Sequence, residues 1–137
     1  MNQGETLHVN TDKSGLTEIT ARISCVVSSS GIQSGLCCVF VRHTSASLVI
    51  QENADPSAQH DLERFLERLA PEGDARYTHT AEGPDDMPAH LRAAITRTSE
   101  TIPIVEGRLH LGTWQGVYLW EHRNRGSRRE IRVQILG

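Results

Sequence analysis

Residues 79–90, HTAEGPDDMPAH, set two histidines at the ends of a short acidic stretch. Imidazoles and carboxylates are the groups that hold divalent metals or move protons near neutral pH. Gly83-Pro84 must turn the chain, which returns His79 toward His90. Asp86 is a good helix N-cap, and Pro88 is tolerated in a first helical turn. His90 then stands four residues after Asp86 on the same helix side. A carboxylate so placed fixes the tautomer of a ligating or proton-shuttling imidazole. The structural alternative is that acids favour a helix N-terminus for reasons of dipole alone. Two histidines at this spacing also lack the specificity of a zinc signature such as HExxH. The residues by themselves leave both readings open.

A third imidazole ends the apolar run GLCCVFVRH. At a period of two, Val39, Val41 and His43 share a face, so His43 points into protein at the mouth of a strand. It is either a satisfied core histidine or part of a site. The hydroxyls of Thr44 and Ser45 follow, and Glu52, Asn53 and Asp55 come soon after, as caps and turns or as ligand contacts. His8, His60, His110 and His122 read as structural residues at strand ends and on the surface.

These residues need elements to hold them. Residues 4–10 read as a strand, and TARISCVVSSSG as a short helix with Thr20 as N-cap and Gly31 as its stop. GLCCVFVRH is a buried strand, with SLVIQE as its continuation or partner. The clearest helix is capped by Asp55, starts at Pro56 and carries the apolar stripe Leu62, Phe65, Leu66 and Leu69. A third helix starts near Asp86 and runs through Leu91, Ala94 and Ile95. TIPIV, RLHLGTW, GVYLWEH and EIRVQIL then follow at short spacing, which predicts antiparallel meanders. The fold class is α+β: one domain over 1–137, largely antiparallel sheets with three short helices.

Composition narrows the partners. The 137 residues carry 37% hydrophobic and 23% charged side chains and a net charge of −3, an ordinary globular balance without general attraction to nucleic acid. Arginines cluster at positions 123, 125, 128, 129 and 132. They form a solvated hairpin, or one or two of them, Arg123 foremost, grip a small phosphorylated ligand. The opening MNQGETLHVN has no signal-peptide pattern, and no apolar run nears the ~18 residues of a membrane span. Cys25, Cys37 and Cys38 make a poor disulfide framework and read as buried free thiols. The expected compartment is the cytoplasm, with no membrane or nucleic-acid partner.

HTSASLVIQEN, YTHTAEGPDDMPAH and GRLHLGTWQGVYLWEHR together resemble the YjbQ-like family, most closely its bacterial branch. The similarity runs from about Leu16 to the C-terminus in one order and spacing. The usual family block H-T-T-A has Ser45 here in place of its second threonine, which keeps the hydroxyl. The resemblance implies a homotrimer, a weak secondary thiamine-phosphate synthase activity, and a pocket where His43, His79 and His90 meet beside Asp86. Such a set suits a divalent metal with an open position, zinc first, with manganese or magnesium admitted by the carboxylates.

The implied reaction joins a pyrimidine methyl diphosphate to a thiazole phosphate with release of pyrophosphate. It needs charge neutralisation at the diphosphate and a dry face for the rings. Trp114 could stack and Gln115 could donate an amide hydrogen bond, or both could belong to a Gly-flanked bulge that anchors the tryptophan in the core or at an interface. The competing class is a non-catalytic trimeric binder of a metal or metabolite, since no P-loop-type glycine loop is present. A trimer has one further motive. GVYLWEH is apolar on both parities, Val117 and Leu119 against Tyr118 and Trp120, so its second face needs cover. Tyr118 or Trp120 would anchor that interface, unless the helices alone cover the face within one chain.

Overall fold

The chain runs β1 (Asn2–Asn10), β2 (Gly15–Glu18), α1 (Thr20–Ser30), β3 (Ser34–Val41), β4 (Ala46–Glu52), α2 (Pro56–Leu69), α3 (Asp86–Ile95), β5 (Ser99–Val105), β6 (Arg108–Leu109), β7 (Gln115–Glu121) and β8 (Arg128–Leu136). The computed structural model describes residues 2–137. Two sheets form, β1-β8-β3-β5-β6 and β2-β7-β4, and their pairings are antiparallel. This is the α+β class that the residues predict.

Alternation builds the core between the sheets. Ile131, Val133 and Ile135 of β8 and Cys37, Val39 and Val41 of β3 point inward, against Ala46 and Leu48 of β4 and Val117 and Leu119 of β7. α1 adds Ile23, Val26 and Val27 and stops at Gly31, whose φ of 70° is the left-handed cap expected there. Each fully buried aliphatic side chain contributes roughly 1.5–3 kcal/mol. Burial also pushes the Cys37 thiol up to about 12, so it is inert. Cys38 is half-buried and Cys25 is exposed, contrary to the expectation that all three thiols are interior.

The strand order differs from a meander. Only β5 and β6 pair as sequence neighbours; β7 enters between β2 and β4, and β8 between β1 and β3. A strand apolar on both parities must be central, and closeness in sequence does not choose its sheet. SLVIQE likewise leaves GLCCVFVRH for the second sheet. The second face of β7 is covered within one chain: Tyr118 and Trp120 are buried beneath α2 and α3, and Gln59 of α2 donates to the Tyr118 hydroxyl at 3.1 Å. Neither aromatic is free to anchor another subunit.

Two helix expectations also change. Thr20 is the first residue of α1 and Ile19 the cap; the Thr20 hydroxyl instead accepts from Val117 N–H at 2.8 Å. α2 has the predicted Asp55 cap and Pro56 start, but only Leu66 of its stripe is fully buried. Phe65 and Leu69 are 54% and 56% exposed. The inner face is rotated because Gln59 and Glu63 reach inward, Glu63 accepting from Leu16 N–H at 2.7 Å.

β7 ends in a buried polar run. Glu121 takes Arg129 as an ion pair and accepts from Thr11 Oγ1 at 2.6 Å. His122 Nε2 meets Ser47 Oγ at 2.8 Å, and Ser47 Oγ accepts from Thr96 Oγ1, just past α3, at 2.6 Å. Burial first, and the Arg92 charge next, lower the His122 pKa from 6.5 to about 3. Between those values the unfolded chain binds a proton that the folded chain refuses. Stability therefore falls as pH drops through that window, by up to about 1.4 kcal/mol per pH unit. Urea midpoints from roughly pH 7 to pH 4 should show this slope, and His122→Gln, whose amide can still meet Ser47, should flatten it. An unchanged slope would assign acid lability to other groups.

Candidate metal centre at the start of the third helix

The chain from α2 to α3 folds on itself before it reaches the histidines. Asp74 accepts from Arg76 N–H at 2.9 Å, and the Tyr77 hydroxyl donates to Pro71 O at 2.8 Å. Gly83 makes the turn at φ 104°, which only glycine adopts cheaply. α3 then starts with two aspartates, and neither caps it. Asp85 holds the cap position with no side-chain cap bond, and Asp86 is the first helical residue. The predicted Asp86 cap is thus replaced by a different role.

Asp86 is 2% exposed, and its Oδ2 faces both histidines: His79 Nε2 at 2.7 Å and His90 Nε2 at 3.1 Å. The two rings meet edge to face with centroids 5.2 Å apart. Ligand atoms of His79, Asp86 and His90 lie within 4.8 Å of one another, the one such group among the described residues. Burial would raise the Asp86 pKa, but the hydrogen bond from His79, the charges at His90 and Arg123 and the His90 hydrogen bond lower it. Asp86 is therefore an ionised acceptor.

The second nitrogen of His90 decides what this group fits. His90 Nδ1 stands 3.2 Å from Thr44 O, and a carbonyl oxygen only accepts. The hydrogen therefore sits on Nδ1; Nε2 donates to Asp86 Oδ2 only when the ring is protonated, and in the neutral ring its lone pair is left for a cation. An imidazole held by Nδ1–H to a backbone carbonyl is the arrangement of a metal ligand. Two imidazole nitrogens and one carboxylate oxygen, open to solvent on one side, fit a divalent ion with vacant positions.

His43 takes a different place. Its Nε2 accepts the Glu130 N–H at 2.8 Å, and its pKa is lowered by burial first and the Arg129 charge next. It shares the lining of a cavity of about 530 Å³ with Phe40, Thr44, His90, Ala93 and Ala94. The third member of the cluster is thus Asp86 and not His43, because the end of β8 occupies His43 Nε2.

The remaining candidates separate. Thr44 lines that cavity and lends its carbonyl to His90. Ser45 is committed inward, its hydroxyl accepting from Arg129 at 3.0 Å. Glu52, Asn53, Trp114 and Gln115 gather at the opposite end of β4, where Asn53 N–H donates to Trp114 O at 3.0 Å. The strand between spans about 20 Å at ~3.3 Å per residue, so a single chain does not unite them with the histidines. Trp114 is 65% exposed there, so it is not anchored in the core, and Gln115 Oε1 closes its own turn on Gly112 N–H. Arg123 is beside the triad, but it binds Asp85 and Asp86. Asp85 and the Thr44 carbonyl are the participants that the residue pattern does not single out. The doubled aspartate is a signal for the first; a backbone oxygen gives none.

A two-sheet α+β sandwich with a His-Asp-His cluster at a helix start is the class these features define. The chain belongs to the YjbQ-like UPF0047 family, whose model matches residues 5–137. A UPF0047 protein of Synechocystis sp. is 57% identical over 133 residues, 97% of this chain and 90% of its own length. The YjbQ protein of Escherichia coli O157:H7 is 45% identical over 103 residues, covering 75% of this chain and 74% of its own. A crystal structure of a YjbQ/UPF0047 protein from Clostridium acetobutylicum superposes with a TM-score of 0.89 at 33% identity, over 96% of this chain and 99% of that one. No helix among the described residues is long and apolar enough to cross a membrane.

The geometry separates His43 from the triad in a way dialysis can read. Zn²⁺ should bind at one ion per chain, and His90→Ala should weaken it at least ~10-fold. His43→Gln, which keeps an acceptor for Glu130 N–H, should leave affinity within about 3-fold, under 1 kcal/mol. Equal losses in both variants would restore His43 to the ligand set.

Proposed function

We propose that this chain is a small-molecule enzyme working at a divalent-metal site of His79, Asp86 and His90. Its reaction is the secondary thiamine-phosphate synthase transfer that the family resemblance implies. The observation that carries the site is the pair of bonds at His90, Nδ1 to Thr44 O and Nε2 toward Asp86 Oδ2. Zinc suits two imidazoles and one carboxylate best, with manganese next; magnesium prefers oxygen ligands.

In this transfer the C–O bond to the diphosphate breaks and its electron pair leaves with pyrophosphate, while the thiazole nitrogen lone pair forms the new C–N bond. A bound divalent ion would neutralise charge on the departing diphosphate. His79, Asp86 and His90 would hold that ion at the anionic end, and the cavity of Phe40, Ala93 and Ala94 beside His90 gives a ring an apolar face. Purified protein should form thiamine phosphate slowly, and His79→Ala or His90→Ala should lower the rate at least ~10-fold, about 1.4 kcal/mol in barrier. Equal rates in wild type and variants would trace the product to a contaminating synthase.

One observation favours the second reading, a non-catalytic metal or metabolite binder. Arg123, the guanidinium nearest the triad, is neutralised by two carboxylates rather than held for a leaving phosphate. A kcat/KM well below ~10⁴ M⁻¹s⁻¹ for the synthase substrates would favour the binder.

The proposed unit is a homotrimer. Its support lies on the outer face of the five-stranded sheet, where Leu36 and Phe40 of β3 and Leu136 of β8 are each over two-fifths exposed. Phe40 also lines the cavity beside His90, which puts the site near such a boundary. Light scattering should give three times the 15.2 kDa chain mass, and Phe40→Asp should lower it. A wild-type mass near one chain would refute the trimer.

A further inference from the structure

Arg123 reaches the triad from the end of β7 with every guanidinium nitrogen engaged. Nη1 donates to Asp86 Oδ1 at 2.7 Å, Nε to Asp85 Oδ2 at 3.0 Å, and Nη2 to Glu82 O at 3.1 Å and Asp85 Oδ1 at 3.3 Å. Asn124 N–H adds a bond to Asp85 Oδ2 at 2.9 Å. The carboxylate of Asp86 is thus divided: Oδ1 belongs to Arg123, and Oδ2 faces His79 and His90.

The helix start gives a second, independent sign. An aspartate at a cap position normally bonds the first free N–H groups of its helix, and losing that bond destabilises the helix. Asp85 makes no such bond, although α3 starts there; its carboxylate turns to Arg123 and Asn124 instead. The local optimum of the helix gives way to the clamp. The planar fork of arginine suits this task, because it meets one carboxylate with two parallel N–H groups and still reaches another. A lysine ammonium at this position keeps the charge but not the fork.

We infer that Arg123 is a positioning residue, holding Asp86 so that only Oδ2 is offered to a metal between His79 and His90. The inference rests on the metal reading of that triad. It assigns Arg123 away from phosphate binding and makes the Asp85-Arg123 pair its support. With Oδ1 withdrawn, Asp86 ligates through one oxygen and the ion keeps its remaining positions for substrate or water. Without the clamp both oxygens turn inward, and the site gains a ligand while losing its geometry.

Cobalt(II) reports this directly, since its visible d–d bands are intense at low coordination number and weaken as ligands are added. The wild-type protein, Arg123→Lys and Arg123→Ala are loaded with Co²⁺ under one set of conditions, with folding checked by circular dichroism. The expected result is at least ~10-fold weaker binding in both variants. Band intensity per bound ion should also fall, and methylguanidinium added to Arg123→Ala should restore both. A clamp that only staples the loop predicts a lower unfolding midpoint with wild-type Co²⁺ affinity and spectrum. That outcome, in Arg123→Lys if Arg123→Ala does not fold, overturns the inference and leaves the metal reading standing. A wild-type protein that binds neither Co²⁺ nor Zn²⁺ overturns both.

Discussion

Three consecutive polar side chains at the end of β7 tie the site to the sandwich. Glu121 turns into the core and holds Arg129. His122 turns to the helix side and holds Ser47, which takes Thr96 just past α3. Arg123 continues beyond the strand and holds Asp85 and Asp86 at the start of α3. One strand end thus fixes both ends of the helix that carries the metal-ligand candidates. Alternation along β7 sends Glu121 to the core face, and His122 and Arg123, past the strand end, both turn toward α3. Burial on both faces follows from the same position, with an aliphatic face welded to the five-stranded sheet and an aromatic face under the helices.

Those ties are bought by low dielectric and steric closure. A buried ion pair such as Glu121-Arg129 adds little net stability over an apolar pair, but losing one partner leaves a charge uncompensated at roughly 3–5 kcal/mol. Such pairs act as position markers more than as glue. Thr11 and Ser45 complete this pair, so the loop carrying Thr44 is set in the same network. Thr44 in turn sets the tautomer of His90. The centre is therefore assembled from the core outward, and His79, on the loop before α3, is the member least enclosed by it.

Much of this was legible in the residues. The Gly83-Pro84 turn, the Asp86-to-His90 spacing and the return of His79 all follow from local chemistry, and the triad forms as they suggest. The α+β class and the Asp55-Pro56 helix start were equally readable. Long-range choices were not. Nothing in the periodicity of GLCCVFVRH says that Glu130 N–H will take His43 Nε2, since that bond depends on the β3–β8 pairing. Glu52 follows soon after His43 in the sequence, yet β4 carries it to the opposite end of that strand, next to Asn53, which bonds Trp114. The aromatic parity of β7 signalled a covered face correctly, but its cover comes from α2 and α3 of the same chain.

The central claim is that His79, Asp86 and His90 form one cation site, and anomalous diffraction locates it without relying on activity. Crystals equilibrated with Zn²⁺ and measured on both sides of the zinc edge should show one strong peak per chain. The account places it at about 2.0–2.2 Å from His79 Nε2, His90 Nε2 and Asp86 Oδ2. Asp86 Oδ1 should remain on Arg123. A peak centred on His43, or no peak while the histidine-aspartate bonds persist unchanged, would contradict it.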